Sequence, residues 1–346
     1  MKNGVKMLDI AKKLGVSVVT VSNALAGRDG VSAELRQRIC DTADEMGYRP
    51  SNTKSNKKKP LLSKAGSNIG ILTSERFVGP KGTFYWELTA LISNKLSAMN
   101  VSTLYECITS ESEKNGTLPN MVTEHKVDGV IVIGQIHRSY TRAISQIDLP
   151  LIFVDFYDNR FNVDSVNSDS YHGGYVLTDY LVEMGHTKIG FFGKINATSS
   201  INDRFLGYIK CLIENHLDYR PDWTISDRGD NGILYDKIDF PEEMPTAFVC
   251  NSDETAFRVI NALKTKGVRV PEDISVVGYD NYTVSNICIP TITTIEVNLD
   301  KMAAASVGLI MRKLENPGYS GGRRIISGNL IVKGSVLDIR DRNPHD

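Results

Sequence analysis

From Ile69 onward the chain alternates short apolar runs with stretches of helical periodicity, and this alternation constrains its fold more than any other feature. The apolar runs predicted as strands are residues 69–73, 127–134, 151–155, 188–193, 246–250 and 274–280. Amphipathic stretches lie between them, for example residues 83–100, whose apolar residues recur every three or four positions. Strands that are apolar throughout are typical of parallel sheets covered by helices on both faces. The sequence therefore predicts an α/β body with enough strands for two parallel sheets.

The first 50 residues predict a separate helical head. Two short stretches of helical periodicity flank Gly15, and a tight turn costs a glycine least. Ser17 can cap the second helix, and Ser32 begins a third. Two short helices around a sharp turn are typical of a helix-turn-helix, whose second helix enters the major groove of DNA. The alternative is an ordinary helical domain.

The charge distribution favours the DNA-binding interpretation. Residues 1–60 carry 12 Lys and Arg against 6 Asp and Glu, a net charge of +6. Residues 61–346 carry 28 against 35, a net charge of −7, so the chain as a whole has a net charge of −1. A basic head on an acidic body is typical of a domain that contacts the phosphate backbone of nucleic acid.

Several classes of protein are excluded by features that the sequence lacks. No apolar leader and no run of 18 apolar residues occur, so the chain is predicted to be cytoplasmic. The five cysteines are far apart and form no CxxC pair, which indicates reduced thiols. Residues 318–322 match GxSxG, but a helix is predicted before them and only His345 follows. Because no metal-ligand spacing or phosphate-binding glycine motif occurs, neither catalysis nor a cofactor is expected.

The chain resembles the lactose-repressor (LacI/GalR) family of bacterial transcription regulators over residues 5–337. The segments that carry the resemblance are DIAKKLGVSVVTVSNALAG, DGVIVIG, EMGHTKIGFFG, CNSDETA, ISVVGYD, IPTITTIE and LIVKGSV. The resemblance implies a helix-turn-helix head, a hinge, and a body of two α/β subdomains similar to periplasmic sugar-binding proteins. It also implies a homodimer or tetramer that binds a pseudo-palindromic operator and responds to a small effector.

The domain limits follow from combining this resemblance with the composition. They are a head over residues 1–50, a linker over 51–68, a body over 69–337 and a tail over 338–346. Within the body, the subdomains cover about 69–166 with 297–325, and about 167–294 with 327–337. No leucine heptads follow the body, which favours a dimer over a tetramer.

The resemblance also implies which residues contact DNA. Val18, Val19 and Asn23 lie at the positions that select the base sequence in the family. Valines can pack on thymine methyl groups, and Asn23 can pair with the edge of adenine. Thr20 and Ser22 are expected to contact phosphates, which position a protein without specifying the sequence. The alternative for the two valines is packing within the head.

The linker departs from the family pattern. The family's hinge helix carries a leucine that wedges into the minor groove, and Leu61 lies at that position when counted back from Ile69. Pro60 precedes it and disfavours a helix. The neighbouring basic run, Lys57, Lys58 and Lys59, is expected to contact phosphates in place of the hinge helix, although these lysines could equally be a solvated linker.

An effector cleft is expected beyond the carboxyl ends of the strands. By the resemblance, Asp155 and Asp280 match carboxylates that face the ligand, and Arg204 matches an arginine that reaches the cleft. Ser252 stands where asparagine is usual, and Asp253 is expected to cap the helix that follows. The aromatic wall of the cleft is expected to be Phe84, Tyr85 and Trp86.

Two carboxylates and one arginine suit a polyol, because hydroxyl groups both donate and accept hydrogen bonds. A sugar is therefore the favoured effector. The alternatives are a regulator that responds to a purine or nucleoside, and a ligand-binding module whose operator binding is weakened by the atypical hinge. Structural roles also remain open for the cleft residues: Asp155 and Asp280 could end strands, Arg204 could be part of an ion pair, and Trp86 could pack in the helix core.

Overall fold

The computed structural model describes residues 5, 7–25, 31–46, 66–78 and 83–340. These residues belong to two compact units, the head before residue 60 and the body after it. The predicted DNA contacts of the linker, Lys57, Lys58, Lys59 and Leu61, lie outside the described residues.

The head consists of helices α1 (Met7–Leu14), α2 (Val18–Leu25) and α3 (Ala33–Glu45). Gly15 takes the left-handed φ of 67° that the turn between α1 and α2 requires. Ser17 caps α2, because the backbone N–H of Thr20 donates to Ser17 Oγ at 3.0 Å. The residues that form the apolar core of the head are Ile10, Ala11, Val21, Ala24, Ile39 and Ala43. The predicted helix-turn-helix is confirmed.

The described part of the body alternates helices with strands. Its helices are α4 (Phe84–Ser97), α5 (Ser110–Asn115), α6 (Asn120–Thr123), α7 (Arg138–Ile144), α8 (Ser170–Glu183), α9 (Ser199–Glu214), α10 (Asp253–Thr265), α11 (Thr283–Ile287) and α12 (Leu299–Glu315). Its strands are β1 (Asn68–Ser74), β2 (Ser102–Ile108), β3 (Gly129–Ile133), β4 (Leu151–Val154), β5 (Asp164–Ser168), β6 (Ile189–Phe192), β7 (Thr224–Ile225), β8 (Ala247–Cys250), β9 (Ser275–Asp280), β10 (Thr293–Glu296), β11 (Arg323–Ile326) and β12 (Asn329–Ile331).

The strands form two sheets. The first sheet has the order β11-β5-β4-β3-β1-β2, and the second has the order β12-β10-β9-β8-β6-β7. Neighbouring strands are parallel except β10 and β12, which are antiparallel. The chain passes from one sheet to the other after β5, β10 and β11. The predicted α/β body with parallel sheets is confirmed.

The six predicted strands correspond to β1, β3, β4, β6, β8 and β9, which are buried almost along their whole length. Periodicity misses the other strands for physical reasons. At the edges of the first sheet, β2 and β11 are partly exposed, so they carry mixed residues. In contrast, β5 is buried but polar, and its Asp164 is neutralised by Lys313 Nζ at 2.7 Å.

The remaining general expectations concern cysteines and membrane segments. All five cysteines are free thiols. None of the helices in the described part of the chain has the length and apolar character that a membrane span requires.

Candidate functional site

Three charged side chains meet where strands of the two sheets end, and we call them the buried charge cluster: Asp155, Arg204 and Asp280. Asp155 directly follows β4 of the first sheet, whereas Asp280 ends β9 of the second. Arg204 lies on α9, with Nη2 3.6 Å from Asp280 Oδ1. Its guanidinium lies over the ring of Tyr279, 3.7 Å from the centroid, and Nη1 donates to the carbonyl of Asn251. Arg204 thus contacts three residues at the ends of strands in the second sheet: Asp280, Tyr279 and Asn251.

The backbone at both carboxylates is unusual. Asp155 has a φ of 64° and Asp280 a φ of 113°, in a region that residues other than glycine rarely adopt. Such strain persists only where the surrounding structure enforces it, and it concentrates at functional sites. The two strand ends therefore turn sharply at the residues whose carboxylates face Arg204.

Aromatic residues approach the cluster from the first sheet. The hydroxyl of Tyr85 donates to Asp155 Oδ2 at 2.9 Å. The ring of Tyr85 packs against Phe77, with centroids 4.7 Å apart, and edge-on against Phe84 at 5.2 Å. Trp86 points elsewhere and is 46% exposed. Of the predicted aromatic segment, only Tyr85 touches the charge cluster.

Two atoms of the cluster are buried without a hydrogen-bond partner among the described residues, namely Asp155 Oδ1 and Arg204 Nε. A buried polar atom without a partner costs about 1–3 kcal/mol. Native proteins satisfy most such atoms, and functional sites are a common exception. One acceptor and one donor are thus available here for the hydroxyl groups of a ligand.

Burial controls the ionisation of the cluster. It raises the pKa of Asp155 to about 6, against the opposing effects of the Arg204 charge and the Tyr85 hydrogen bond. Burial likewise raises the pKa of Asp280 well above its ordinary value, again opposed by Arg204. For Arg204, burial is the largest influence and acts to lower the pKa, but Asp280, Tyr279, Asp155 and Tyr85 together outweigh it and the pKa is raised. Arg204 is therefore a permanent cation.

This raised pKa predicts a pH dependence of stability. The folded protein binds a proton at Asp155 up to about pH 6, whereas the unfolded chain releases it near 3.8. Stability contributed by this residue therefore falls as the pH rises through that window, by up to about 3 kcal/mol. Asp155→Asn removes the titrating group, so the variant should gain about 1–2 kcal/mol relative to the native protein between pH 5 and pH 7.5.

Urea unfolding followed by tryptophan fluorescence measures this difference, because both tryptophans, Trp86 and Trp223, lie in the body. Asp218→Asn removes an exposed carboxylate and controls for the change in net charge. A difference between Asp155→Asn and the native protein that stays the same at both pH values would contradict the assignment.

An open cavity of about 790 Å³ lies between the carboxyl ends of the two sheets. The first sheet contributes loops after β1, β3 and β4, and the second contributes the segments after β6 and β7. Its aromatic walls are Phe77 and Tyr157. It adjoins the charge cluster, because Phe77 packs on Tyr85 and because the Arg228 charge on its wall lowers the pKa of Asp280 against the dominant effect of burial.

Hydrogen bonds connect the first sheet with the start of α9 beside this cavity. The backbone N–H of Ser199 donates to Gln135 Oε1 at 3.2 Å, and the Tyr157 N–H donates to Ser199 Oγ at 3.2 Å. The Tyr157 hydroxyl donates to Asp203 Oδ1 at 2.8 Å, and its ring lies under the Arg323 guanidinium at 4.1 Å. These contacts hold the two sheets around the cavity.

A second polar network beside the cavity was not predicted from the sequence. The carboxylate of Asp227 accepts two bonds from Arg228, at 3.0 and 2.7 Å. It also accepts from Asn251 Nδ2 and Thr255 Oγ1, each at 2.7 Å. Although burial raises the pKa of Asp227, these bonds together hold it below its ordinary value. No periodicity could reveal this network, because its members come from separate segments.

Ser252 and Asp253 occupy different roles from those expected of them. Ser252 caps α10, since the Thr255 N–H donates to Ser252 Oγ at 3.2 Å. The expectation that Asp253 is the cap is wrong: Asp253 is the first residue of α10, is fully buried and accepts from the Tyr282 N–H at 3.2 Å. Its carboxylate holds the loop after β9 rather than the helix end.

In the head, the start of α2 presents an apolar surface. Val18 is 39% exposed and Val19 is 67% exposed, whereas Thr20, Ser22 and Asn23 are half-buried. The Thr20 hydroxyl lies 2.8 Å from that of Ser17, within the cap. The two valines are thus not packed inside the described part of the head, and they remain available for a partner.

Comparison with known protein families decides the identity of this arrangement. Residues 6–51 match the model of the bacterial regulatory proteins, lacI family. Residues 178–336 match the periplasmic binding protein-like domain. The chain thus combines a lacI-family helix-turn-helix domain with a periplasmic-binding-protein-like domain. It is a DNA-binding transcriptional regulator.

Relatives and solved structures agree with this combination of domains. The HTH-type transcriptional repressor PurR of Pasteurella multocida (strain Pm70) is 28% identical over 334 residues, which cover 95% of this chain and 97% of the relative. The transcriptional regulator CelR in complex with cellobiose has a TM-score of 0.67 at 19% identity, covering 96% and 99% of the two chains. The lac repressor dimer bound to operator and the anti-inducer ONPF has a TM-score of 0.65 at 22% identity, covering 97% and 100%. The structural likeness shows the shared fold.

Proposed function

We propose that this regulator is a repressor that binds a pseudo-palindromic operator as a homodimer and is controlled by a small effector with sugar-like hydroxyl groups. The observation that carries the proposal is the union in one chain of a helix-turn-helix head and a body whose charge cluster has unpaired buried polar atoms. The head supplies the DNA reader, and the cluster supplies a site that a ligand completes.

On the DNA side, the exposed Val18 and Val19 would pack on thymine methyl groups in the major groove. Asn23 lies one turn further along α2, where it can pair with an adenine. Thr20 and Ser22 would contact phosphates. The lysines at 57–59 and Leu61 complete the proposed interface.

On the effector side, Asp155, Arg204 and Asp280 would hold a polyol. Asp155 Oδ1 accepts from a hydroxyl, Arg204 Nε donates to one, and Phe77 or Tyr157 covers the apolar face of a ring. Tyr85 keeps Asp155 in place. CelR, which shares this fold, is solved with cellobiose, which supports a sugar.

A purine or nucleoside is the second candidate. It is favoured by the name of the relative with 28% identity along almost the whole chain, which is a PurR repressor. The aromatic walls, Phe77 and Tyr157, suit a purine ring as well as a sugar. A nucleoside carries both a purine and a hydroxyl-bearing ribose, so it would use the charge cluster in the same way.

Control of DNA binding would arise because the ligand touches both sheets at once. Asp155 follows β4 of the first sheet, whereas Asp280 ends β9 of the second sheet and Arg204 contacts it from α9. A ligand that bridges them favours the arrangement in which they are close. Only a ligand with different affinities for two arrangements of the body can change operator affinity.

Selection of duplexes from a random DNA library by the full-length protein tests the DNA-binding part. We expect an enriched pseudo-palindrome, as for a two-fold symmetric reader. Asn23→Ala should relax the preference at one base pair in each half-site, which corresponds to a loss of about 1–3 kcal/mol of discrimination. Gln37→Ala, on the exposed face of α3, is the matched control.

An unchanged preference in Asn23→Ala would show that Asn23 does not read a base. Absence of any enriched sequence would contradict operator recognition. The selected duplex then serves to screen sugars and purine nucleosides for compounds that change its affinity, and the class that does so decides between the two effectors.

A further inference from the structure

We propose that the effector carries a phosphate monoester on its sugar moiety, with the hydroxyl groups at the buried charge cluster and the phosphate in the open cavity. This inference rests on the proposed function, because it specifies the ligand of the same cleft. It is carried by the charge of the cavity wall and by one arginine on that wall.

The wall of the cavity is rich in cations. Five cationic side chains line it, against two carboxylates, Asp158 and Asp230. The cations are Arg76, Arg138, Arg160, Lys194 and Arg228. They come from the loops of both sheets, so they surround the cavity rather than forming one exposed stripe. A neutral sugar needs no such excess of positive charge, whereas a phosphate does.

Three of the five, Arg76, Arg160 and Arg228, are paired with buried carboxylates. Arg76 donates to both oxygens of Glu113, at 2.8 and 3.2 Å. Arg228 is held in the same bidentate way by Asp227. The buried carboxylates of Glu113 and Asp227 offset these two charges, and the hydrogen bonds of both arginines are largely satisfied.

Arg138 has a different environment. It is exposed at the first residue of α7, and it makes no hydrogen bond or salt bridge with the residues that the structure describes. The hydrogen bonds from Arg160 lower the pKa of Asp158, and the positive charge of Arg138 lowers it further. A guanidinium with all its donors free, on the wall of a ligand cavity, suits bidentate recognition of phosphate.

Lys194 is paired with an exposed carboxylate, whereas Arg160 is paired with a buried one. Lys194 Nζ contacts Asp230, whose side chain is 99% exposed. Arg160 Nε donates at 2.7 Å to Asp158, two residues before it in the same loop. A pair with an exposed carboxylate is worth about 0–1 kcal/mol, so a phosphate can compete for Lys194. The Asp158 side chain is only 5% exposed, so Arg160 stays with its carboxylate and is not counted among the cations free for a phosphate.

The start of α9 adds to the positive potential. Thr198 and Ser199, at the N-terminus of this 16-residue helix, line the same cavity. The N-terminus of a helix favours an anion. The same helix carries Arg204, whose buried Nε has no partner among the described residues. One helix therefore faces the proposed phosphate with its first turn and the proposed hydroxyl groups with its second.

The test is calorimetric titration of the full-length protein with matched pairs of compounds. The pairs are ribose and ribose 5-phosphate, glucose and glucose 6-phosphate, and adenosine and adenosine monophosphate. In at least one pair we expect the phosphorylated member to bind about tenfold to a hundredfold more tightly. Arg138→Gln should reduce that preference about tenfold, whereas Arg269→Gln, an exposed arginine outside the cavity, should leave it unchanged.

The outcomes separate the possible ligand sources. Preference for the sugar phosphates alone, or for the nucleotide alone, supports the proposal and identifies the source. If no phosphorylated member binds more tightly than its partner, or if the two arginine variants behave alike, the proposal is wrong.

Operator binding distinguishes this failure from failure of the proposed function. Suppose that ribose, glucose or adenosine changes the affinity for the selected duplex while its phosphorylated partner does not. This result would support the proposed effector-controlled repressor and contradict the proposed phosphate group. If no compound of either kind changes that affinity, both the proposed ligand classes and the proposed phosphate group are wrong.

Discussion

Replacement of Arg204 by Met is expected to cost about 3–5 kcal/mol of unfolding free energy at pH 7.5 and to abolish the effector response. Methionine fills a similar length but is uncharged. Asp280, with only 13% of its side chain exposed, and the buried Asp155 then lose the cation that offsets their burial. Removal of one partner from a buried ion pair is far more costly than removal of an exposed one.

The loss should depend on pH. Arg204 opposes the rise in the pKa of both carboxylates, so these pKa values rise further without it. Below them, the folded variant holds protons that the unfolded chain releases, and lowering the pH therefore restores stability. Urea unfolding followed by tryptophan fluorescence at pH 5 and pH 7.5 should show a smaller deficit at pH 5.

Arg258→Met provides the matched control. Arg258 pairs with Glu254 one turn away on α10, and both side chains are partly exposed. Its loss should cost less than about 1 kcal/mol. Arg204→Lys keeps the charge but not the planar contact with Tyr279, so it should be intermediate. If Arg204→Met were as stable as Arg258→Met at both pH values, the carboxylates would not depend on Arg204.

Gly207→Ala is expected to destabilise the body by roughly 2–3 kcal/mol. Gly207 lies on α9 where this helix crosses α8, and a Cβ added there would be 2.0 Å from the carbonyl oxygen of Tyr171. The contact is reciprocal, because a Cβ at Gly174 of α8 would be 2.2 Å from the carbonyl oxygen of Arg204. Backbone atoms cannot rotate away as a side chain does, so the helices must separate.

Separation of these helices would displace Arg204 from its carboxylates, so Gly207→Ala should also weaken effector binding. Gly308→Ala on α12 is the matched control, because an added Cβ there meets no atom within 4 Å. It should stabilise the protein by about 0.5–1 kcal/mol, since alanine favours the helix. Chemical unfolding of both variants gives the comparison. Equal stability of Gly207→Ala and Gly308→Ala would show that the crossing adapts without cost.

The buried strands were predictable because they are continuous in sequence. The apolar composition of a strand such as β3, with five consecutive buried residues, is enough to predict that the strand is buried. β5 does not, because Asp164 is tolerated there through Lys313, Ser320 and Gly322, which are 149, 156 and 158 positions away. The head was predictable for the same reason as β3, since the spacing of Ile10, Ala11, Val21 and Ala24 is a local signal.

The candidate site was only partly accessible from sequence. Asp155 and Asp280 lie at strand ends, so the rule for ligand sites in parallel sheets selects them. Their contact with Arg204 depends on the close crossing of α8 and α9. The roles of Ser252 and Asp253 could not be separated, because both residues suit a helix cap and only the position of the loop after β9 decides between them.

The sequence by itself determined that this chain has a helix-turn-helix head and an α/β body with parallel sheets, since periodicity, capping and turn residues act over a few positions. Only the tertiary structure decided which charges share one site. Arg138, Lys194 and Arg228 come together on one cavity wall although they are far apart in the chain. Electrostatic energy depends on distance and burial in space rather than on sequence separation, so no local pattern encodes it.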